Sequence, residues 1–305
     1  MPGLRTVVAA IDLSPASAPA VARAAELADR TGATLHVLFA HLLFRDEGTL
    51  GGRAEGVLRL RMERFVADAV GVSRDDLDGI APIVAIERGV SAQDAITAYA
   101  ARERADLLVL GTHGRTGIGR LLLGSVAEAC VSRAPCPVLT VPASSPIQPV
   151  AAHAPILVPV DFTRRTGAAL EAARGLARLL GSPIEAVHVV RDAGPYPDLI
   201  PDVISVSDSD PEGDAIVRER IAALGPDITA AHVLFGTPAR AIAKVARERG
   251  AAMIVMATHG RRGIERAAMG SIAEATLRRA PCPVLTLTEA HLSTPSRRPS
   301  RALAS

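Results

Sequence analysis

An internal repeat constrains this chain more than any other feature of its sequence. The hexapeptide Pro-Cys-Pro-Val-Leu-Thr occurs at 135–140 and again at 281–286. At the same displacement, Thr-His-Gly-Arg at 112–115 returns at 258–261, and Gly-Ser at 124–125 returns at 270–271. A length of 305 residues also suits two domains of ordinary size. The sequence therefore predicts one domain over residues 1–143, a second over 150–289 and a flexible tail at 290–305.

The segment between the two copies has the composition of a linker. Residues 142–149 read Pro-Ala-Ser-Ser-Pro-Ile-Gln-Pro. Stretches rich in Pro and Ser form semi-rigid spacers rather than helices or strands. The boundary between the domains is expected here.

Composition excludes several classes of function. Hydrophobic residues make up 49% of the chain, enough for packed cores, and the formal net charge is only +2. A balanced charge provides no field to hold a polyanion, so nucleic acid is not an expected partner. Aromatic residues are 2% of the chain and Trp is absent, which removes the stacking platforms of single-strand binders.

The sequence favours a soluble cytoplasmic protein. Three cysteines, at 130, 136 and 282, are too few for a disulfide framework and fit a reducing compartment. The N-terminal apolar run, residues 7–11, is too short for a signal-peptide core, and no run approaches the length of a membrane span. Neither secretion nor a membrane partner is expected.

Apolar runs alternate with segments of helical period, which is typical of a parallel sheet covered by helices. In the first copy we predict strands at 6–11, 34–40, 80–86, 107–111 and 137–141, and helices at 15–30, 53–70, 92–104 and 125–133. Ser14 and Pro15 are expected to begin the first helix with a capping hydroxyl, and Thr163 is placed alike in the second copy. A flavodoxin-like strand order, with the first strand beside the fourth, is expected. In such doubly wound α/β domains, ligands bind beyond the carboxyl ends of the strands, where the strand order reverses.

A glycine-rich segment follows the fourth strand at this edge. It reads Gly111-Thr-His-Gly114, then nine residues, then Gly124-Ser125 at the start of a helix. Glycines let backbone N–H groups approach an anion, and a helix start adds unpaired N–H groups and a positive dipole end. Asp12, at the end of the first strand, offers a carboxylate to a ribose or an adenine edge. Together these residues predict a nucleotide pocket.

Alternative interpretations remain open for several of these residues. Ser125 and Glu128 also match a capping box, as do Ser271 and Glu274, so each serine could serve only its helix. The two His-Gly pairs, at 113 and 259, lack a second ligand at metal-binding spacing, so hydrogen bonding within a loop is the default for each histidine. The cysteines at 136 and 282 are expected to be buried, inert thiols.

Several catalytic schemes lack their motifs. The single lysine, Lys244, does not follow a glycine, which excludes the Gly-Lys-Ser/Thr phosphate loop. A Gly-x-Ser-x-Gly elbow is absent, and the spaced glycines do not follow the first strand as a dinucleotide fingerprint requires. P-loop ATPases, esterases and nicotinamide-dependent enzymes are therefore not expected.

The motifs resemble those of the universal stress protein family. The resemblance rests on Val7-Val-Ala-Ala-Ile-Asp12, on the spaced glycines and on Pro135-Cys-Pro-Val, and both copies carry it. It implies two tandem Rossmann-like domains of the adenine nucleotide alpha hydrolase-like kind, each with a five-stranded parallel sheet flanked by helices. It also implies that the last strands of the two domains, 137–141 and 283–287, pair edge to edge as an internal pseudo-dimer, which then forms a homodimer.

The ATP-binding branch of the family implies one site in each domain. The aspartate there contacts the nucleoside, and the glycine loop with its serine holds the phosphates. Carried over residue by residue, the first site comprises Ala10, Asp12, Ala40, Gly111, His113, Gly114, Gly124, Ser125 and Val126. The second comprises Pro159, Asp161, Val189, Ala257, His259, Gly260, Gly270 and Ser271.

The second copy departs from the pattern at Ala257, which stands where the first copy has Gly111. If this position needs a positive φ, the Cβ costs about 1–2 kcal/mol; if it is extended, the methyl group merely narrows the loop. The long connection of the second copy also carries an acidic run around 207–214, and an acidic lid would repel a triphosphate. The first site is therefore expected to bind ATP at least as well as the second.

The leading hypothesis is a stress-response regulatory protein that binds ATP, with Mg²⁺ bridging the phosphates. Binding rather than catalysis is expected, with at most weak ATP hydrolysis, because no positioned base or arginine finger can be named. Regulatory proteins are the expected partners. The alternative is a scaffold that binds no nucleotide and acts through protein contacts, as another branch of the family does.

Overall fold

The computed structural model describes residues 3–43, 51–73, 77, 80–112, 123–190, 204–205, 210–258 and 269–288. Strands and helices alternate through both copies of the repeat, as the sequence predicts. The first domain contains β1 (Thr6–Ile11), α1 (Ala18–Thr31), β2 (Thr34–Leu42), α2 (Gly52–Val70), β3 (Ile83–Gly89), α3 (Ala92–Arg102), β4 (Leu107–Gly111), α4 (Ser125–Arg133) and β5 (Val138–Val141).

The second domain repeats this order with one addition. It contains β6 (Ile156–Pro159), α5 (Arg164–Leu180), β7 (Ile184–Val190), β8 (Ile204–Ser205), α6 (Pro211–Ala222), β9 (Ile228–Phe235), α7 (Pro238–Glu248), β10 (Met253–Ala257), α8 (Ser271–Arg279) and β11 (Val284–Leu287). The short β8 pairs antiparallel with the end of β9, so this domain adds a strand to the five parallel ones expected.

The starts of α1 and β3 differ most from the sequence prediction, and each has a local reason. The first helix is preceded by a 3₁₀ turn at Pro15–Ser17, and Ser14 makes no capping hydrogen bond there, so its predicted role is wrong. The third strand starts at Ile83 rather than at Ile80, because a turn closes first: the Ala81 N–H donates to the Leu77 carbonyl at 2.7 Å, and Ala81 has φ +42°.

All described strands belong to one sheet with the order β3-β2-β1-β4-β5-β11-β10-β6-β7-β9-β8. Within domain 1 the order is thus 3-2-1-4-5, and the predicted flavodoxin-like order is wrong. The physical reason lies in β3, which carries Glu87 and Arg88 and is only partly buried, as suits an edge strand. The buried apolar strands β1 and β4 are neighbours, as expected. The strand order therefore reverses between β1 and β4.

Each face of this sheet carries an apolar core that continues from one domain into the other. One core packs α1, α2, α5 and α6 against the sheet, and the other packs α3, α4, α7 and α8. Among the described residues, no helix is both long and apolar enough to cross a membrane.

The last strands of the two domains join the halves of the sheet. Strand β5 pairs antiparallel with β11, and Leu139 lies opposite Leu285 at the centre of the seam. Both leucines are buried. The edge-to-edge pseudo-dimer predicted from the family resemblance is confirmed.

The linker is anchored to α1. Glu26, on that helix, accepts a hydrogen bond from the Val150 N–H at 3.2 Å, and Arg23 donates to the Gln148 carbonyl at 3.4 Å. Arg23 and Glu26 also form an ion pair with each other. Their side chains are buried, so the linker packs onto domain 1. The predicted tail at 290–305 lies outside the described residues.

Candidate nucleotide site

Two predicted site residues of domain 1, Asp12 and Gly111, lie at the carboxyl ends of β1 and β4. Ala10 pairs in register with Leu110, so Asp12 and Gly111 follow at the ends of adjacent parallel strands. This is the point at which the strand order reverses. Ligands of open α/β sheets bind in the crevice at such a point.

Asp12 is held by its own turn. Its Oδ1 atom accepts hydrogen bonds from the Ser14 N–H at 3.0 Å, from the Ser14 hydroxyl at 2.6 Å and from the Ser17 hydroxyl at 3.2 Å. Leu13, inside this turn, has φ +61°, a left-handed conformation that non-glycine residues seldom adopt. The carboxylate is therefore fixed in place before any ligand arrives.

Asp161 is held in the same way in domain 2. Its Oδ1 accepts from the Thr163 N–H, the Thr163 hydroxyl and the Thr166 hydroxyl, at 3.1, 2.7 and 2.8 Å. Partial burial acts to raise the pKa of Asp161, but these hydrogen bonds and the charge of Arg165 outweigh it and hold the pKa below its ordinary value. Asp161 is therefore ionised near neutral pH.

Sequence reasoning missed the hydroxyl groups two and five residues after each aspartate. The signal was available, because Asp-x-Ser-x-x-Ser at 12–17 returns as Asp-x-Thr-x-x-Thr at 161–166. Thr163 does cap its helix, as predicted, by accepting from the Arg165 N–H at 3.3 Å.

Gly111 ends strand β4 in an extended conformation. It pairs with Val141 on β5, and Ala257 pairs with Leu287 at the equivalent position in domain 2. Because both residues belong to strands, a Cβ at this position carries no penalty for a positive φ. The Cβ of Ala257 therefore causes no backbone strain, and its expected effect is that the methyl group narrows the loop.

The described residues on the two sides of the glycine-rich segment are hydrogen bonded to each other and to β5. The Gly124 N–H donates to the Thr112 carbonyl at 2.8 Å, and the Thr112 N–H donates to the Val141 carbonyl at 3.0 Å. The predicted site residues His113 and Gly114 lie outside the described residues, as do His259 and Gly260.

Helix α4 begins at the same edge, and its start differs from a capping box. Gly124 is the N-cap residue, and the Glu128 N–H donates to the Gly124 carbonyl at 3.0 Å. Ser125 is therefore the first helical residue, and it is exposed. Gly270 and Ser271 repeat this arrangement in α8, with the Glu274 N–H donating to the Gly270 carbonyl. The capping-box alternative is wrong in both domains.

Small apolar side chains form the wall beside this helix start. Ala10 belongs to the core that α3 and α4 cover, and Ala40 and Val126 pack against that core. All three lie on the face of the sheet from which α4 rises. In domain 2, Val189 packs against the same core and Pro159 ends β6. The Ala residues at 10 and 40 thus leave more room than their counterparts Pro159 and Val189.

Two residues of the acidic run in domain 2 have local structural partners. Asp210 caps α6 by accepting from the Gly213 N–H at 3.0 Å, and the buried Asp214 pairs with Arg218 at 2.6 Å. Residues 206–209 lie outside the described part of the chain. Asp210 and Asp214 therefore stabilise a helix, which weakens the expectation of an acidic lid.

The cysteines are buried, as predicted, and without disulfide bonds. Burial raises the pKa of Cys136 and of Cys282 to about 12, so each is a neutral thiol near pH 7. In the ranges that the structure describes, no three His, Cys, Asp or Glu side chains come together to hold a metal ion.

The family model described as the universal stress protein family matches this chain twice, at residues 3–142 and 153–287. The chain belongs to the universal stress protein family. Its two domains are tandem members of that family, as the resemblance implied.

Individual relatives agree. Universal stress protein Rv2005c of Mycobacterium tuberculosis is 28% identical over 231 residues, 73% of this chain and 75% of its own length. A crystal structure of a universal stress protein from Archaeoglobus fulgidus is 22% identical, with a TM-score of 0.63 over 93% of this chain and 98% of that one. At that identity, the second likeness speaks for the fold alone.

A solved universal stress protein in complex with cAMP is 24% identical and covers 45% of this chain and 96% of its own, with a TM-score of 0.34. A likeness at this TM-score says nothing about the ligand of this chain.

Proposed function

We propose that this tandem universal stress protein binds ATP at the carboxyl edge of its sheet and acts as a stress-response regulatory protein. The observation that carries the proposal is a convergence in domain 1. A fixed carboxylate, Asp12, ends the strand next to the one that leads into the glycine segment, and α4 begins at the same edge. A nucleotide needs an acceptor for its ribose or base and donors for its phosphates, and this edge provides both.

The donor set fits a polyphosphate. The first turn of α4 has N–H groups without intrahelical partners and the positive end of the helix dipole. Ser125 is exposed at its first position, and the N-cap residue Gly124 has no side chain to cover those groups. Mg²⁺ would accompany ATP by bridging its phosphate oxygens, which lowers the charge that these donors must meet.

Domain 1 is proposed as the stronger site. Its wall has Ala10 and Ala40 where domain 2 has Pro159 and Val189, and its β4 ends in Gly111 where β10 ends in Ala257. Each difference leaves more space in domain 1. The proposal also includes a cytoplasmic location, homodimer formation, regulatory protein partners and at most weak hydrolysis.

The first test is to identify what the protein binds in cells. Protein purified without added nucleotide is denatured, and the released small molecules are identified by mass spectrometry. ATP or its hydrolysis product is expected. Release of no nucleotide, together with no heat on titration with MgATP, would favour the scaffold alternative.

The second test assigns the site. Asp12→Asn keeps an oxygen to accept the three hydrogen bonds of the turn but replaces the other carboxylate oxygen with a donor. Asp161→Asn is the matched variant in domain 2. MgATP affinity by calorimetry should fall more with Asp12→Asn, by about tenfold, or about 1.4 kcal/mol. A larger loss with Asp161→Asn would contradict the ranking of the two sites.

A further inference from the structure

The hydroxyl groups around each aspartate form a cluster that occurs in both domains. The Ser14 hydroxyl donates to Oδ1 of Asp12, and the Ser17 hydroxyl shares its one proton between that oxygen, at 3.2 Å, and the Ser14 carbonyl, at 2.9 Å. Thr163 and Thr166 both donate to Oδ1 of Asp161. The residue types differ between the domains, but the hydroxyl, its position in sequence and its target oxygen are the same. What the two clusters share is therefore a pair of hydroxyl donors directed at one carboxylate oxygen.

Helix capping does not account for these hydroxyls in domain 1. The 3₁₀ turn after Ser14 receives no side-chain capping bond, and neither does α1 from its N-cap residue Ser17. The Ser14 hydroxyl instead donates to Asp12 at 2.6 Å. In domain 2, Thr163 caps α5 and still donates to Asp161 at 2.7 Å.

Three donors on one oxygen restrict a carboxylate strongly. A side-chain hydrogen bond that involves a charged group is shorter and stronger than a neutral one, and three from different directions leave little freedom to rotate. The turn also contains a left-handed residue in each domain, Leu13 at φ +61° and Phe162 at φ +57°. A conformation of this kind persists only where the surrounding contacts enforce it.

We propose that Ser14 and Ser17 in domain 1, and Thr163 and Thr166 in domain 2, are positioning residues for the nucleotide-binding aspartates. They hold Oδ1 so that the carboxylate meets the nucleoside in a fixed orientation, and they do so without touching the ligand. This role rests on the proposed function, since it supposes that the aspartates bind a nucleotide. Because the carboxylate is already oriented in the free protein, less conformational freedom is lost on binding and the affinity is higher.

The domain 1 test uses a substitution and its rescue. Ser14→Ala removes a hydroxyl that caps no helix, and Ser14→Thr installs the residue that domain 2 has at this position. MgATP affinity by calorimetry should fall about tenfold in Ser14→Ala and return to within about twofold of wild type in Ser14→Thr. Equal affinities in all three proteins would overturn the proposal, as would a failure of Ser14→Thr to restore binding.

The domain 2 test needs no nucleotide. Thr166→Val replaces the hydroxyl with a methyl group of similar size, and Thr166→Ser retains it. The acid titration of the Asp161 carboxyl, followed by NMR, should move to higher pH in Thr166→Val and stay in place in Thr166→Ser. An unchanged titration in Thr166→Val would overturn the role of Thr166.

Neighbouring charges are the same in both variants, so they cannot produce this difference. The charge of Arg165, on α5, lowers the pKa of Asp161. The imidazole of His188, on β7, is hydrogen bonded to the Val160 carbonyl at 2.8 Å, and the Arg220 guanidinium, on α6, lies over the Phe162 ring at 4.1 Å.

The two tests separate the two proposals. If wild-type protein binds no nucleotide while the Asp161 titration moves as expected, the proposed function fails and the hydroxyls still orient the carboxylate. If wild type binds MgATP but Ser14→Ala binds it equally well, nucleotide binding stands and positioning by Ser14 fails.

Discussion

Thr140 and Thr286 occupy equivalent positions on β5 and β11, and each hydroxyl donates to a backbone carbonyl of the opposite strand. The distances are 3.2 Å from Thr140 to Val284 and 3.1 Å from Thr286 to Val138. Both threonines are buried, so these two hydrogen bonds link the domains without competition from water. The seam between the domains is thus nearly symmetric, with the Leu139–Leu285 pair at its centre.

Replacing either threonine of the seam with valine should destabilise the protein modestly. Valine has nearly the same shape, so the change removes one buried hydrogen bond and creates no cavity. A loss of about 1 kcal/mol in the free energy of unfolding is expected for Thr140→Val and for Thr286→Val, measured by urea denaturation. Thr97→Val, on α3, is the control, because its hydroxyl bonds only to its own helix. Losses no larger than that of the control would contradict a role for the seam hydroxyls.

A buried carboxylate in domain 2, paired with a half-exposed arginine, should make stability depend on pH. Glu185 is 3% exposed, and its carboxylate lies 2.7 Å from Arg249 Nη2 and 2.7 Å from His232 Nε2. Burial acts to raise the pKa of Glu185, but hydrogen bonds from Arg249 and His232 outweigh it and hold the pKa below the ordinary value of 4.5. The folded state therefore binds a proton less readily than the unfolded state.

The sign of this effect is fixed by the lowered pKa. The stabilisation is fully present above pH 4.5 and is lost as the pH falls through the lower pKa of the folded state. In Glu185→Gln, the free energy of unfolding should therefore fall less steeply than in wild type as the pH is lowered below 4.5. Glu248→Gln, in an exposed pair with Lys244, is the control. If the free energy of unfolding of Glu185→Gln fell as steeply as that of wild type in acid, Glu185 would not be the source of the pH dependence.

Exchanging Gly111 and Ala257 between the domains should alter affinity without altering the fold. Both positions are extended and paired in register, so Gly111→Ala introduces no left-handed strain. Thermal unfolding should stay within a few degrees of wild type in either variant. MgATP affinity should fall in Gly111→Ala and rise in Ala257→Gly, by a few-fold each. If the affinity rose in Gly111→Ala or fell in Ala257→Gly, the methyl group at this position would not limit binding.

One arginine in each domain contacts a backbone carbonyl near an edge of the sheet, on the edge strand β3 in domain 1 and on β9, which pairs with the short edge strand β8, in domain 2. Arg59, on α2, donates to the Val84 carbonyl of β3 at 2.8 Å, and Arg218, on α6, donates to the Ala231 carbonyl of β9. Each arginine also pairs with an acidic residue four positions earlier on its helix, Glu55 or Asp214. Outer strands with available backbone groups are sites of unwanted pairing between chains.

Removing the arginine at the β3 edge should therefore promote self-association. Arg59→Ala is expected to form larger species at high protein concentration, followed by size-exclusion chromatography with light scattering. Arg61→Ala is the control, since Arg61 is exposed on the same helix. Identical mass distributions for the two variants would contradict protection of the edge by Arg59.

The sequence predicted the parts of the fold that rest on local pattern. Strands β1 and β4 have the predicted bounds, because each is a short buried apolar run that stops at Asp12 or Gly111. Helix α4 has the predicted bounds because Gly124 marks its start. Strand order depends on which strands tolerate exposure. The charged residues Glu87 and Arg88 indicated that β3 is an edge strand, but the hydrophobic pattern from which the strands were predicted takes no account of charge.

The position of the candidate site in the fold was predictable from the sequence, and its local geometry was less so. Asp12 and Gly111 meet at one edge because the carboxyl ends of adjacent parallel strands must do so, and Gly124 is held there by its hydrogen bond to the Thr112 carbonyl. The role of Ser14 was not predicted, because a serine before a proline reads as a helix cap, whereas its hydroxyl bonds to the aspartate two residues earlier. The contact depends on the left-handed turn at Leu13, and only the repeated spacing of aspartate and hydroxyl residues at 12–17 and 161–166 indicated it in the sequence.

The most direct test of the account is a crystal structure of the full chain grown with MgATP in excess. The account predicts ATP at the carboxyl edge of domain 1, with its nucleoside against Asp12 and its phosphates at the start of α4 beside Ser125. Density at that edge explained entirely by the chain's own side chains, with ATP bound elsewhere or not at all, would contradict it.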